Sequence, residues 1–144
     1  MTLGKRLVKI RFPARAYQLR QVRCITRNAA LKQGFSCEET DNIVLAVNEA
    51  CMNIIQHAYG EHDSGEIILE IIKNPNEILF RLIDFAAPIN KTVIKSRNLE
   101  DIRPGGLGVH LITKVMDEVT FPDPPPGAGN VIEMKKFFNS SNHH

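Results

Sequence analysis

The 144 residues carry 43% hydrophobic and 24% charged side chains with a formal net charge of +2, the composition of a globular chain able to bury one core. Such a balance argues against disorder, and so small a charge gives no reason to expect a nucleic-acid or membrane partner. No run approaches the ~20 apolar residues of a membrane span. Cys24, Cys37 and Cys51 lie far apart without a CxxC, the usage of reduced thiols in a cytoplasmic protein rather than of a zinc site.

In chain order, the alternation from Leu7 to Phe12 predicts a strand ending at Pro13. Tyr17, Leu19, Val22, Ile25, Ala29 and Leu31 recur at roughly helical spacing, so a helix is expected from Ala14 to about Gln33, stopped by Gly34. Ser36 or Thr40 is a suitable cap for a second helix, and Glu38, Glu39 and Asp41 suit the positive end of its dipole. This helix is expected to reach Tyr59 and stop at Gly60. Two β-rich runs follow, Glu66 to Lys73 and Glu77 to Asp84, joined by the short turn Asn74-Pro75-Asn76 as an antiparallel hairpin. Phe85 to Gly105 has no strong periodicity and reads as a long loop of the kind that is usually functional or disordered. A third helix is expected from Gly106–Gly108 to Met116 or Asp117, then strands at Val119 to Phe121 and Val131 to Phe138. Helices packed on one face of a mostly antiparallel sheet, an α+β two-layer sandwich, is the natural packing of these elements.

Two segments carry chemistry. The second helix is apolar around most of its circumference, yet Asn42, Glu49, Asn53 and His57 stack on one side and no Lys or Arg accompanies them. A carboxylate in such a helix needs a partner from elsewhere. From spacing alone a functional stripe and a satisfied structural network are equally good accounts. Arg103-Pro104-Gly105-Gly106-Leu107-Gly108 leads into the apolar helix Val109 to Met116, an arrangement that lets backbone N–H groups approach an anion. It is neither a Walker phosphate loop nor a dinucleotide fingerprint, and alone it is a weak signal.

Together these segments resemble the Bergerat-fold ATPases shared by histidine kinases, gyrase-type enzymes and Hsp90-type chaperones, and above all their anti-sigma factor serine kinase branch. Leu45 to Tyr59, with Glu49, Asn53, His57 and Tyr59 in place, looks like the asparagine box. Asp84, followed by Ala86, Ala87 and Pro88, is similar to the first glycine box, with Ala86 where the family usually has Gly. Gly106-Leu107-Gly108-Val109-His110-Leu111-Ile112 is similar to the second, and Gly129-Asn130-Val131 also fits. The resemblance covers nearly the whole chain, and implies a histidine-kinase-like ATPase domain over residues 1–138. Residues 139–144 would then be a flexible tail, with His143-His144 suggesting part of a purification tag.

The resemblance also implies roles. Asn53 would hold the Mg2+ that bridges the phosphates of ATP, or of the product ADP, and Glu49 would be the general base toward a serine hydroxyl. Asp84 would accept from the adenine amino group beside Ala86, with His57 also at the nucleotide. Gly106, Leu107 and Gly108 would bring backbone donors to the phosphates. Ile89 to Arg103 would be a lid, in which Lys91, Lys95, Arg97 or Arg103 contacts phosphate. The implied partners are an anti-anti-sigma (STAS-type) protein as phosphate acceptor, a sigma factor to be sequestered, and a second copy in a homodimer. Three alternatives accompany this reading: a nucleotide sensor without transfer, a switch kinase with another partner class, and nucleic-acid binding by Arg15, Arg20, Arg23, Arg27 and Lys32. Glu49 speaks against a pure sensor, since binding alone needs no carboxylate there. Leu111, Ile112, Val115 and Met116 read as core, and His110 as surface.

Overall fold

A computed structural model describes residues 4–59, 65–87 and 107–138, the side chains of 57–59 and 107–109 excepted. The tail from 139 and the lid expected at Ile89 to Arg103 lie outside the described residues. Strand β1 spans Lys5–Pro13, β2 Glu66–Lys73, β3 Glu77–Asp84, β4 Glu118–Thr120 and β5 Asn130–Phe137. They form one sheet in the order β1-β2-β3-β5-β4, antiparallel at every pairing. Since β5 runs against both β3 and β4, those two strands point the same way, and helix α3 (Leu107–Val115) lies between them in sequence as a crossover. Lys136 of β5 donates to the Val115 carbonyl at 2.9 Å, satisfying one of the orphan acceptors at the end of that helix.

The period-2 pattern sorts each strand into two faces. Ile67, Leu69 and Ile71 of β2 and Ile78, Phe80 and Leu82 of β3 are fully buried against the helices. Glu70, Arg81 and Glu133 stand opposite one another on the other face, where Arg81 binds Glu70 at 3.0 Å and Glu133 at 2.6 Å. The layer of helices is α1 (Leu19–Lys32), α2 (Cys37–Asn53) and α3, with α2 packed on both of the others. The sandwich expected from the sequence is therefore the observed architecture.

Local chemistry fixes the helix ends. Gly34 takes φ +95°, the left-handed conformation that closes α1. Ser36, not Thr40, caps α2: its hydroxyl accepts from the Glu39 N–H at 3.0 Å while the Glu39 carboxylate accepts from the Ser36 N–H at 3.1 Å. Thr40 is buried inside the helix instead. The first helix also starts later than Ala14, after a 3-10 turn at Ala16–Gln18, so Tyr17 remains 73% exposed rather than joining the core. Ile112 and Met116 are core residues, as their spacing indicates, and His110 is exposed.

Candidate functional site

Two clusters on the helix-covered side of the sheet contain the polar residues that the sequence singles out. The first lies on α2. Its inner face, Ile43, Val44, Ala46, Val47, Ala50 and Cys51, is buried, and burial pushes the Cys51 thiol up to about 12, so it stays protonated and inert. Glu49 and Asn53 are half-buried one turn apart, about 6 Å by helix geometry. Asn42 is exposed and falls outside this pair. The Asn53 Oδ1 atom is buried and has no hydrogen-bond partner.

Beyond Asn53 the structure corrects the sequence reading. The α-helix does not continue to Tyr59: Ile54–Tyr59 is a π-helical turn. Its hydrogen bonds run from i to i+5, so the backbone beyond Asn53 does not keep the α-helical repeat on which the expected stripe to His57 was built. The His57 side chain lies outside the described residues. π-Turns are often found at functional sites, and this one begins at the residue after the one whose carboxamide oxygen has no partner.

The second cluster closes the end of β3. By the alternation of that strand, Asp84 shares its face with Ile78, Phe80 and Leu82, and it is 2% exposed. Its Oδ1 accepts from the Ala86 N–H at 3.0 Å, an Asx turn, and from Asn130 Nδ2 at 3.0 Å. Burial pushes the Asp84 carboxyl above the usual carboxylate range, while the bonds from Asn130 and the Ala86 N–H pull it back. Ala86 is itself buried and has no positive φ, so this turn does not require the glycine of the family pattern. Gly129 is needed for a different reason. Its N–H donates to the Asp84 carbonyl at 2.8 Å, and a Cβ built there would stand 1.8 Å from the Ala86 carbonyl oxygen.

Leu107 and Gly108 open α3, which packs beside α2 and so joins the layer that holds Glu49 and Asn53. Arg103 and Gly106, with Lys91, Lys95 and Arg97, lie outside the described residues. Asn130 is the residue whose role sequence reading missed. The signal was its place at the start of a strand that pairs with the end of β3, in register with Asp84. On α1, Arg23 donates to Asn48 at 3.0 Å and Arg27 pairs with Asp41, so both join the helix pair instead of standing free for a polyanion. No described helix is long and apolar enough to cross a membrane.

Residues 12–136 match the family model of the histidine kinase-like ATPase domain. Among curated proteins, the chain is 31% identical over 121 residues to the serine-protein kinase RsbW of Bacillus cereus (strain AH820), covering 78% of this chain and 74% of that protein. It is 28% identical over 120 residues to the protein of the same name from Bacillus mycoides (strain KBAB4), with the same coverage of 78% and 74%. A chain of the SiaB–SiaC complex from Pseudomonas aeruginosa superposes with a TM-score of 0.59 at 17% identity, over 92% of this chain and 91% of that one. At that identity the superposition speaks for the fold, and it agrees with the two-layer architecture. The chain belongs to the histidine kinase-like ATPase family, in the neighbourhood of the anti-sigma serine kinases that its motifs resemble.

Proposed function

We propose that this protein binds ATP with Mg2+ and transfers the γ-phosphoryl group to a serine of an anti-anti-sigma partner of the STAS type, and that it sequesters a sigma factor when that partner is phosphorylated. The observation that carries this reading is the pair on α2, a half-buried carboxylate followed one turn later by a buried carboxamide oxygen without a partner. A buried acceptor without a partner costs free energy, and a hard cation is a fitting partner for it. Asn53 would therefore hold Mg2+, which takes its remaining ligands from phosphate and water and neutralises the charge on the transferring group. Glu49, beside it, accepts the proton of the attacking hydroxyl. Asp84 accepts from the adenine 6-amino group, and the backbone at Leu107 and Gly108 donates to phosphate at the start of α3. The relatives named serine-protein kinase support transfer rather than sensing alone, and membership of this branch is what supports a homodimer.

Incubation with labelled ATP, Mg2+ and purified anti-anti-sigma proteins tests the reading directly. Label is expected on a serine of the partner and absent when Mg2+ is chelated. Calorimetry should show ATP and ADP binding well ahead of GTP, with the preference lost in Asp84→Asn. Equal affinity for GTP in the wild type removes the adenine assignment, and tight ATP binding with no transfer to any such partner leaves a nucleotide-gated binding module.

A further inference from the structure

The hydrogen bonds at the end of β3 assign a task to Asn130. Its Nδ2 group reaches Asp84 Oδ1 at 3.0 Å and the Ala87 carbonyl at 3.2 Å. Both partners can only accept, the first as a carboxylate and the second as a peptide carbonyl, so the amide must present its N–H2 side to them. The Ala86 N–H also donates to Oδ1. Two donors thus converge on one carboxylate oxygen, and neither bond uses Oδ2. The backbone beneath is held just as closely, by the Gly129 N–H on the Asp84 carbonyl and by the contact that leaves no room for a Cβ at position 129.

We propose that Asn130 is a positioning residue that sets base specificity, by tying Oδ1 so that Asp84 meets the purine as an acceptor through Oδ2. This rests on the reading of Asp84 as the adenine contact. A purine with an amino group at position 6 offers an N–H to that oxygen. One with a 6-oxo group, as in guanine or hypoxanthine, presents lone pairs to a carboxylate and is repelled. The discrimination holds only while Asp84 stays an acceptor, because a protonated carboxyl can turn its O–H toward an oxo group. Asn130 opposes this, since its N–H binds Oδ1 of an ionised carboxylate more strongly than Oδ1 of a neutral carboxyl and so favours the charged form. The turn through Ala86 and Ala87 is tied by the same amide, so the carboxylate and the backbone below it are oriented together.

Two variants test this, Asn130→Ala and Asn130→Asp, each titrated with ATP and with inosine triphosphate, which carries the 6-oxo group on an otherwise similar base. Asn130→Ala is expected to weaken ATP about fivefold to tenfold, the loss of one charge-assisted hydrogen bond, and to narrow the ATP preference. Asn130→Asp keeps the shape but sets a second carboxyl against Asp84, and two carboxyls at that distance hold a proton between them. In that variant ATP is expected to weaken by more than tenfold and inosine triphosphate to bind at least as well as ATP. A lowered melting temperature with an unchanged ratio of the two affinities makes Asn130 a structural tie and overturns the proposal, as do wild-type affinities in both variants. Wild-type protein that binds the two nucleotides equally removes the reading of Asp84 and this inference with it.

Discussion

At the β3–β5 end, Asp84 Oδ1 receives two hydrogen bonds from the protein itself, whereas on α2 the Oδ1 of Asn53 is buried with none. Both atoms belong to residues assigned to one nucleotide, yet the fold treats them differently. On the function proposed above, the end that meets the base is tied by the protein's own hydrogen bonds, as suits a carboxylate that must not turn if it is to discriminate purines. The end proposed for the phosphates has a buried acceptor that the protein itself does not satisfy, at a cost of about 1–3 kcal/mol, and that reading makes the bound cation its partner. A site divided this way can hold its specificity fixed while using ligand binding to order the residues around the transferring group.

The largest effect expected from testing that division falls on the α2 side. Glu49→Gln keeps shape and polarity but cannot take a proton, so transfer should fall ~10²–10⁴-fold while ATP affinity stays near that of the wild type. A labelled-phosphate assay beside calorimetry measures both. Transfer at the wild-type rate in this variant would sink the catalytic assignment and leave Glu49 as part of a structural network.

On the rigid side, Gly129→Ala should cost about 1–3 kcal/mol of stability, since the new methyl meets the Ala86 carbonyl oxygen at 1.8 Å and backbone must move. Chemical denaturation reads this directly. A variant as stable as the wild type would show that the turn below Asp84 yields easily, and the contrast between the two ends would fade. Asn53→Ala is the counterpart. Truncation relieves the cost of the unpartnered oxygen but gives up the packing of the carboxamide, so the nucleotide-free protein should stay within ~1 kcal/mol of the wild type while the Mg2+ dependence of ATP binding is lost. A large loss of stability with Mg2+-dependent binding intact places Asn53 in the rigid class instead.

The same division decides what could be read from the sequence. Local devices were legible: the alternation of β2 and β3, the stop at Gly34, and the turn between the strands, where the Asn74 N–H donates to the Glu77 carbonyl at 2.9 Å. The α+β sandwich and the pairing of Glu49 with Asn53 follow from such patterns. What was not legible depends on register or on small changes of winding. The choice between Ser36 and Thr40 depends on which one faces inward, and the 3-10 turn at Ala16–Gln18 leaves Tyr17 exposed although its spacing suits the apolar face. The π-turn at Ile54–Tyr59 leaves the hydrophobic pattern intact and shows only in backbone hydrogen bonds. Asn130 acts across a strand pairing, 46 positions from Asp84, and no spacing rule connects them.

The smallest effect expected separates the two ends by pH. Burial raises the Asp84 carboxyl above its ordinary value, and the bonds from Asn130 and Ala86 only partly offset this. Between the ordinary and the raised value the folded protein binds more protons than the unfolded chain, so stability falls as pH rises through that window, and the loss remains at neutral pH. Asp84→Asn carries no charge to bury and keeps an oxygen for both donors. Without nucleotide it is therefore expected to melt above the wild type near pH 7, with the margin closing as the pH drops below the ordinary carboxylate range. With ATP at 100 times the wild-type dissociation constant the wild type gains about 2.7 kcal/mol, a variant with weakened ATP binding gains less, and the order of melting is expected to reverse. Melts at both pH values, with and without ATP, give all four comparisons. If the variant melts below the wild type at pH 7 without nucleotide, the carboxylate is a net structural tie, and the β3–β5 end is rigid for stability rather than for recognition.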